Sequence, residues 1–293
     1  MPQPARIALA TCAYFPGGDP DDQGLPEALG GADWVAWDDP SADWEAYDLV
    51  VIRSTWDYQE RRDRYVAWAG ALGDRLVNPP EIITWNTDKA YMSELAEAGL
   101  PVVPTALVPP GAAFAPPAGE GEYVVKPTVS AGSRDTARFG AAEGDRAAAL
   151  VGSIHASGRT AMVQPYLASV DARGETALMF FDGVWSHAIG KGPLLRPGAE
   201  PTFRVFAPEE IVAREATAAE REVAGRVVDW VARRFGDAPA YARVNLVEDA
   251  AGAPVVLELE LTEPSLFFGH DAGALPRFAA AVLRRAGRRA PDA

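Results

Sequence analysis

Cys12 is the only cysteine among 293 residues, which excludes an intrachain disulfide framework and a thiolate zinc site. The three histidines, His155, His187 and His270, are scattered and share no HxxxH spacing. Lysine is equally scarce, limited to Lys89, Lys126 and Lys191. No apolar run approaches the roughly 20 residues of a membrane span. The opening MPQPARIALATC enters a strand-like run without a signal-peptide layout. A cytoplasmic protein with no membrane contact is therefore expected. Positive charge is also short: the formal net charge of −14 argues against nucleic acid, whose binders present a basic patch. The densest basic stretch, RRAGRRA (284–290), reads as a solvated helix end, where cations are favourable.

Several site motifs are missing as well. Neither GxxxxGKS/T nor a strand-borne GxGxxG occurs, and HExxH and GxSxG are absent. DPDDQG (19–24) begins like a calcium loop, but the twelfth position is Gly30 instead of Glu.

What is present is an ordinary globular composition, 48% hydrophobic and 23% charged, in a chain long enough for two or three lobes. Up to about residue 85, short apolar runs (RIALAT, DWVAW, YDLVVI) alternate with helical segments, favouring a parallel, Rossmann-like sheet. YQERRDRYVAWAGALG puts Tyr58, Tyr65, Trp68 and Leu72 on one helical face, with Gly73 as the stop. DKAYMSELAEAG is a further helix, ended by Gly99. The Pro- and Gly-rich run 109–122 reads as an exposed loop before the strand YVVKP. A long helix follows from Ala218 to Phe235, opened by a Thr217-x-x-Glu220 capping box and closed at Gly236. YARVNLV and PVVLELEL are the last strands.

The charges near these elements are dispersed. Lys89 opens a helix, and Lys126 ends a strand. The small-residue run TVSAGS comes next, and its backbone N–H groups could approach phosphate oxygens closely. In LELELTEP (257–264), Leu257, Leu259 and Leu261 alternate with Glu258 and Glu260, so both carboxylates share a strand face. Like charges there are unfavourable unless something holds them. Arg243 and Asn245 stand in the same i, i+2 relation. If the two strands pair antiparallel, one face carries Arg, Asn, Glu and Glu. A structural Arg243–Glu258 salt bridge competes with a hard cation, which better explains the second carboxylate.

In order and spacing, TDKAYMSELAEAGLPVVPT, YVVKPTVSAGS, VQPYL and YARVNLV…VVLELELTEPS resemble the ATP-grasp superfamily, as in glutathione synthetase and D-alanine–D-alanine ligase. VVIRSTWDY and LELELTEPSLFF resemble, more narrowly, the actinobacterial O-ureido-serine cyclo-ligases of D-cycloserine biosynthesis. The resemblance implies an α/β (α+β) ATP-grasp chain. Residues 1–85 would be a Rossmann-like lobe, 86–162 the small ATP-grasp lobe, and 163–293 the C-terminal lobe with the metal site.

The resemblance also implies roles. Lys89 and Lys126 would meet the α- and β-phosphates of ATP, under a loop of Ser130, Ala131, Gly132 and Ser133. Gln164, Tyr166 and Leu167 match the hinge that receives adenine, with Asp171 toward the ribose. Arg243 would bind the transferring phosphoryl group, and Asn245, Glu258 and Glu260 would hold Mg2+. The ligases usually carry Asp first and Asn third; here Asn245 and Glu260 exchange the charge without removing it.

For the substrate, Arg53 in RSTWDYQE could clamp a carboxylate, with Ser54 and Thr55 beside it. In the same stretch, Asp57-x-x-Glu60 reads equally as a capping box and Trp56 as core. Lys191 and Arg204 are further cationic candidates. The expected activity is an ATP-dependent carboxylate–amine ligase acting through an acylphosphate on a small amino-acid-like substrate, as an intramolecular cyclo-ligase in the narrower reading. A small-molecule kinase and a non-catalytic nucleotide-binding module are the alternatives. Monomer and homodimer are both compatible with the sequence.

Overall fold

The computed structural model describes residues 5–198 and 210–289. Among them, three sheets follow one another along the chain. The first is parallel, with order β2-β1-β3-β4, from β1 (Ile7–Thr11), β2 (Asp33–Ala36), β3 (Leu49–Ile52) and β4 (Leu76–Val77). β3 is apolar throughout and β1 is apolar up to Thr11, whose hydroxyl is bonded to Phe15 O, as suits strands covered on both sides. The second is antiparallel, order β5-β8-β6-β7, from β5 (Ala106–Val108), β6 (Tyr123–Pro127), β7 (Ala137–Phe139) and β8 (Ala161–Pro165). The third, also antiparallel, runs β11-β10-β9-β12-β13 and comprises β9 (Glu175–Phe181), β10 (Val184–Lys191), β11 (Ile211–Ala213), β12 (Tyr241–Glu248) and β13 (Pro254–Glu260).

The helices are α1 (Leu25–Ala28), α2 (Arg62–Leu72), α3 (Pro80–Asn86), α4 (Tyr91–Glu97), α5 (Gly144–Ala156), α6 (Ser169–Arg173), α7 (Ala218–Phe235) and α8 (Ala274–Arg289). No helix among the described residues is long and apolar enough to cross a membrane. α7 carries the reciprocal capping box: Glu220 N–H donates to Thr217 Oγ1 at 3.2 Å and Thr217 N–H to Glu220 Oε2 at 2.7 Å. It ends at Gly236, whose φ of 85° is the left-handed cap that glycine supplies most cheaply. α2 starts later than its hydrophobic pattern predicts, because Tyr58–Glu60 form a separate 3-10 turn. Asp57 caps nothing there. Its carboxylate accepts Trp37 Nε1 at 2.8 Å and Arg61 Nη2 at 2.9 Å instead.

One core lies between the parallel sheet and the five-stranded sheet, with α8 wedged in. Leu9 and Val51 meet Met179, Phe181, Tyr241 and Phe278 there. On the opposite face of the five-stranded sheet, α7 packs Val223, Val227 and Val231 over Val244, Leu259 and Leu261. Side-chain amides and a phenol join the pieces. Asn78 Nδ2 donates to Tyr241 O (3.0 Å) and Leu261 O (2.8 Å), while its Oδ1 accepts Ala240 N–H (2.7 Å). Asn86 bonds Leu259 O and Leu261 N, and Tyr91 Oη bonds Leu259 N and O. β13 is an edge strand, and these side chains, with the main-chain bonds of Pro101 and Val103 to Val256, satisfy its outer edge.

Asn78 is fully buried, so its loss strands three backbone groups at about 1–3 kcal/mol for each one left unsatisfied. Asn78→Ala should lower chemical-denaturation stability by several kcal/mol, more than Ser41→Ala on the surface. Equal stability of the two variants would remove the interlobe role.

Candidate active site

The three sheets converge on a cleft of about 580 Å³. Its floor is the β12–β13 pair, where Arg243 stands opposite Glu260 and Asn245 opposite Glu258. A bulge between Asn245 and Leu246 sets two residues of β13 against one of β12. The apolar alternation is therefore broken at Leu257: Leu259 and Leu261 enter the α7 core, whereas Leu257 lines the cleft. Glu258 and Glu260 line it as well.

These charges are paired. Arg243 donates from Nε to Asn245 Oδ1 (3.2 Å), from Nη1 to Ser265 O (2.8 Å) and from Nη2 to Glu260. The Phe267 ring lies 5.4 Å from the guanidinium. Glu258 takes Lys89 instead of the Arg243 partner considered from sequence; Lys89 Nζ is 3.2 Å from Glu258 Oε1 and donates to Ser130 O at 2.6 Å. Burial pushes the Glu258 carboxyl up, but Lys89, Lys126 and Arg243 together overcome it and hold it at about 2. Burial lowers the Lys126 ammonium, against the pull of Glu258. Lys126 has no hydrogen bond or salt bridge among the described residues.

Ser130, Ala131, Gly132 and Ser133 line the mouth of the cleft. Gly132 and Ser133 have φ of 64° and 58°, a left-handed turn that exposes backbone N–H groups. The turn is tied to the parallel-sheet lobe: Ala131 N–H donates to Gln59 Oε1 (3.0 Å), and Arg134 pairs with Glu60 (2.6 Å). Gln164, Tyr166 and Leu167 line the far end. Gln164 Nε2 donates to Thr105 Oγ1 at 2.9 Å.

Other expected site residues sit elsewhere. Asp171 does not line this cleft. Its carboxylate accepts Arg138 (2.9 and 3.0 Å) and the Tyr166 phenol (2.6 Å). Arg53, Ser54 and Thr55 are also outside the lining. Arg53 is 1% exposed and forks onto Asp22, with Nη2 at 2.9 Å and Nε at 3.2 Å, and also donates to Pro264 O. Its charge is spent on an acid from the DPDDQG stretch, so it does not clamp a substrate carboxylate. Ser54 Oγ accepts Asp19 N–H, and Thr55 shares a 2.7 Å bond with Tyr65. Trp56, for which a core place was considered, does line the cleft, as does Lys191. Arg204 lies outside the described residues.

Glu263, not singled out from the sequence, is a further acid of the cleft, after Glu258 and Glu260 on the same segment. Its signal was present: three glutamates fall within six residues of an otherwise apolar strand end. Burial, reinforced by Glu260 and Glu258, pushes its carboxyl up to about 8. Tyr58, read as a helix-face residue, lines the cleft beside it.

Over 263 residues the chain is 38% identical to the cycloserine biosynthesis protein DcsG of Streptomyces lavendulae, covering 85% of this chain and 87% of that protein. The chain belongs to the DcsG family. Residues 7–78 match the model of the N-terminal domain of D-cycloserine synthetase DcsG. The crystal structure of D-cycloserine synthetase DcsG superposes with a TM-score of 0.85 at 36% identity, over 96% of this chain and 99% of that one. Beyond the DcsG family, D-alanine–D-alanine ligase from Bacillus anthracis complexed with ATP (TM-score 0.63, 14% identity, 97% and 98% covered) shares the fold. So does the ATP-grasp ligase PsnB (0.63, 19%, 96% and 99%). The fold is ATP-grasp, as the ordered motifs led one to expect.

The Glu263 carboxyl gives a pH test. Its folded pKa, near 8, lies above the ordinary glutamate value of 4.5. The folded state therefore keeps a proton that the unfolded chain releases, and stability falls as pH rises from about 4.5 to 8. Glu263→Gln removes this loss. Its melting temperature should match wild type at pH 4 and exceed it by a few degrees at pH 8. Parallel curves for the two proteins would contradict the raised value.

Proposed function

We propose that the chain is an ATP-dependent carboxylate–amine ligase of cycloserine biosynthesis, acting in the cytoplasm on a small amino-acid-like substrate. The observation that carries this reading is the convergence of Lys89, Lys126, Arg243, Asn245, Glu258 and Glu260 on one cleft in a chain of the DcsG family. The substrate carboxylate attacks the γ-phosphorus of ATP, ADP leaves, and a nitrogen of the same molecule then displaces phosphate from the acyl carbon, closing a ring. O-ureido-serine is the substrate this predicts. Lys89 and Lys126 neutralise phosphate charge, and Arg243, locked by Asn245, Ser265 and Glu260, faces the transferring group. The 130–133 turn excludes water from the acylphosphate.

The donor set fits magnesium. Two carboxylates and the Asn245 amide offer only oxygen, the chemistry a hard cation requires. Glu258, held at about 2, is ionised across the neutral range, as a metal ligand must be. No group of three acidic, His or Cys ligands occurs among the described residues, consistent with an amide as third member. Held by Asn245, Glu258 and Glu260, Mg2+ would supply positive charge that offsets the negative charge of phosphoryl transfer.

Glu258→Gln and Glu260→Gln should each abolish ATP turnover while leaving circular dichroism unchanged, and Lys126→Ala should weaken ATP binding by about tenfold or more. Wild-type turnover in both glutamine variants would sink the metal assignment. The reaction class is read by incubating the enzyme with Mg-ATP and O-ureido-serine and following phosphate and product mass together. Free phosphate with a product lighter than the substrate marks the ligase. A product heavier by one phosphoryl group marks the kinase instead, and nucleotide binding without turnover marks a binding module.

A further inference from the structure

Glu263 differs from the two glutamates of β13 that line the cleft. Glu258 is paired with Lys89 and Glu260 with Arg243, whereas the Glu263 carboxylate has no salt bridge or hydrogen bond among the described residues. Yet its backbone is among the most firmly held in the cleft. Three consecutive carbonyls are gripped by three different side chains: Glu263 O by Trp56 Nε1 (3.0 Å), Pro264 O by Arg53 Nη2 (3.1 Å) and Ser265 O by Arg243 Nη1 (2.8 Å). The buried Arg53–Asp22 pair thus serves to fix this turn. With no cation beside it the rigidly presented Glu263 carboxyl keeps its proton in the free protein, and a cationic ligand would bring the counter-charge that lets it ionise.

Trp56, Tyr58 and Phe267 line the cleft with Glu263. Aromatic faces suit an organic ammonium, which they attract without competing for its hydrogen bonds. A second magnesium is the poorer occupant, because Glu258 and Glu260 are already paired with Lys89 and Arg243, which leaves Glu263 as a single carboxylate.

We propose that Glu263 receives the cationic α-amino group of the amino-acid substrate and is the residue that selects amino acids over their hydroxy-acid analogues. This rests on the ligase reading. Through the three gripped carbonyls, Arg53 and Trp56 are positioning residues for this contact. Arg53 therefore affects substrate recognition without touching the substrate.

The test compares O-ureido-serine with the analogue carrying hydroxyl in place of the α-amino group, both with Mg-ATP, on the full chain. Wild type should prefer the amino acid in kcat/KM by about 10- to 100-fold, the range of a charge-assisted hydrogen bond. In Glu263→Gln this preference should collapse toward unity through a raised KM for the amino acid, with the KM for ATP unchanged. Glu263→Asp, which keeps the charge, should retain part of the preference. Amino-acid KM and preference both unchanged in Glu263→Gln, in an enzyme whose wild type releases ADP, overturn the assignment alone. So does a raised KM for ATP with the preference intact, which would make Glu263 a metal ligand. No ADP from wild type with either compound overturns the ligase reading, and the assignment with it.

Discussion

The antiparallel pairing of β12 with β13 is the constraint around which the cleft is organised. It sets Arg243 against Glu260 and Asn245 against Glu258, concentrating opposite charges on one face. That concentration is tolerable because each carboxylate meets a cation, Lys89 coming from the turn before α4 and Arg243 from the neighbouring strand. The bulge at Leu257 is part of the same arrangement. It lets Val256, Leu259 and Leu261 share the α7 core while Leu257 joins Glu258 and Glu260 along the cleft.

The two halves of the protein contribute unlike chemistry to that cleft. The antiparallel lobes supply the fixed charges and the glycine-containing turn. The parallel lobe supplies aromatic wall, Trp56 and Tyr58, and side chains that hold main-chain groups across the junction, such as Gln59 on Ala131 and Arg53 on Pro264. Position within the cleft is thus fixed largely by bonds to backbone carbonyls and amides, the groups least able to move without disturbing their strands.

Much of this was legible in the sequence where the signal is local. The capping box at Thr217, the glycine stops at Gly73, Gly99 and Gly236, and the paired i, i+2 residues of the last two strands each follow from short-range geometry. What was not legible depends on partners far apart in the chain. Arg53 reads as a free cation until Asp22, 31 residues earlier, is folded onto it. The bonds of Arg138 and Tyr166 to the Asp171 carboxylate are likewise invisible in the sequence. Asp57 and Glu60 match a capping pattern, but Trp37 and Arg61 compete successfully for Asp57. Glu263 falls off the two-residue period by one position, so its place in the cleft is set by the turn and not by the strand.

The sealing of β13 by Asn86, Tyr91 and the 101–103 segment has a further consequence for the molecule in a crowded solution. An exposed sheet edge is a template on which another chain can add a strand. Here the edge beside the charged wall already has its amides and carbonyls occupied by side chains and by main chain of the same molecule. The opposite edge is a strand of only three residues, Ile211–Ala213, too short to guide a long pairing. The margin of the sheet that carries the charged pair is thereby guarded against edge-to-edge aggregation.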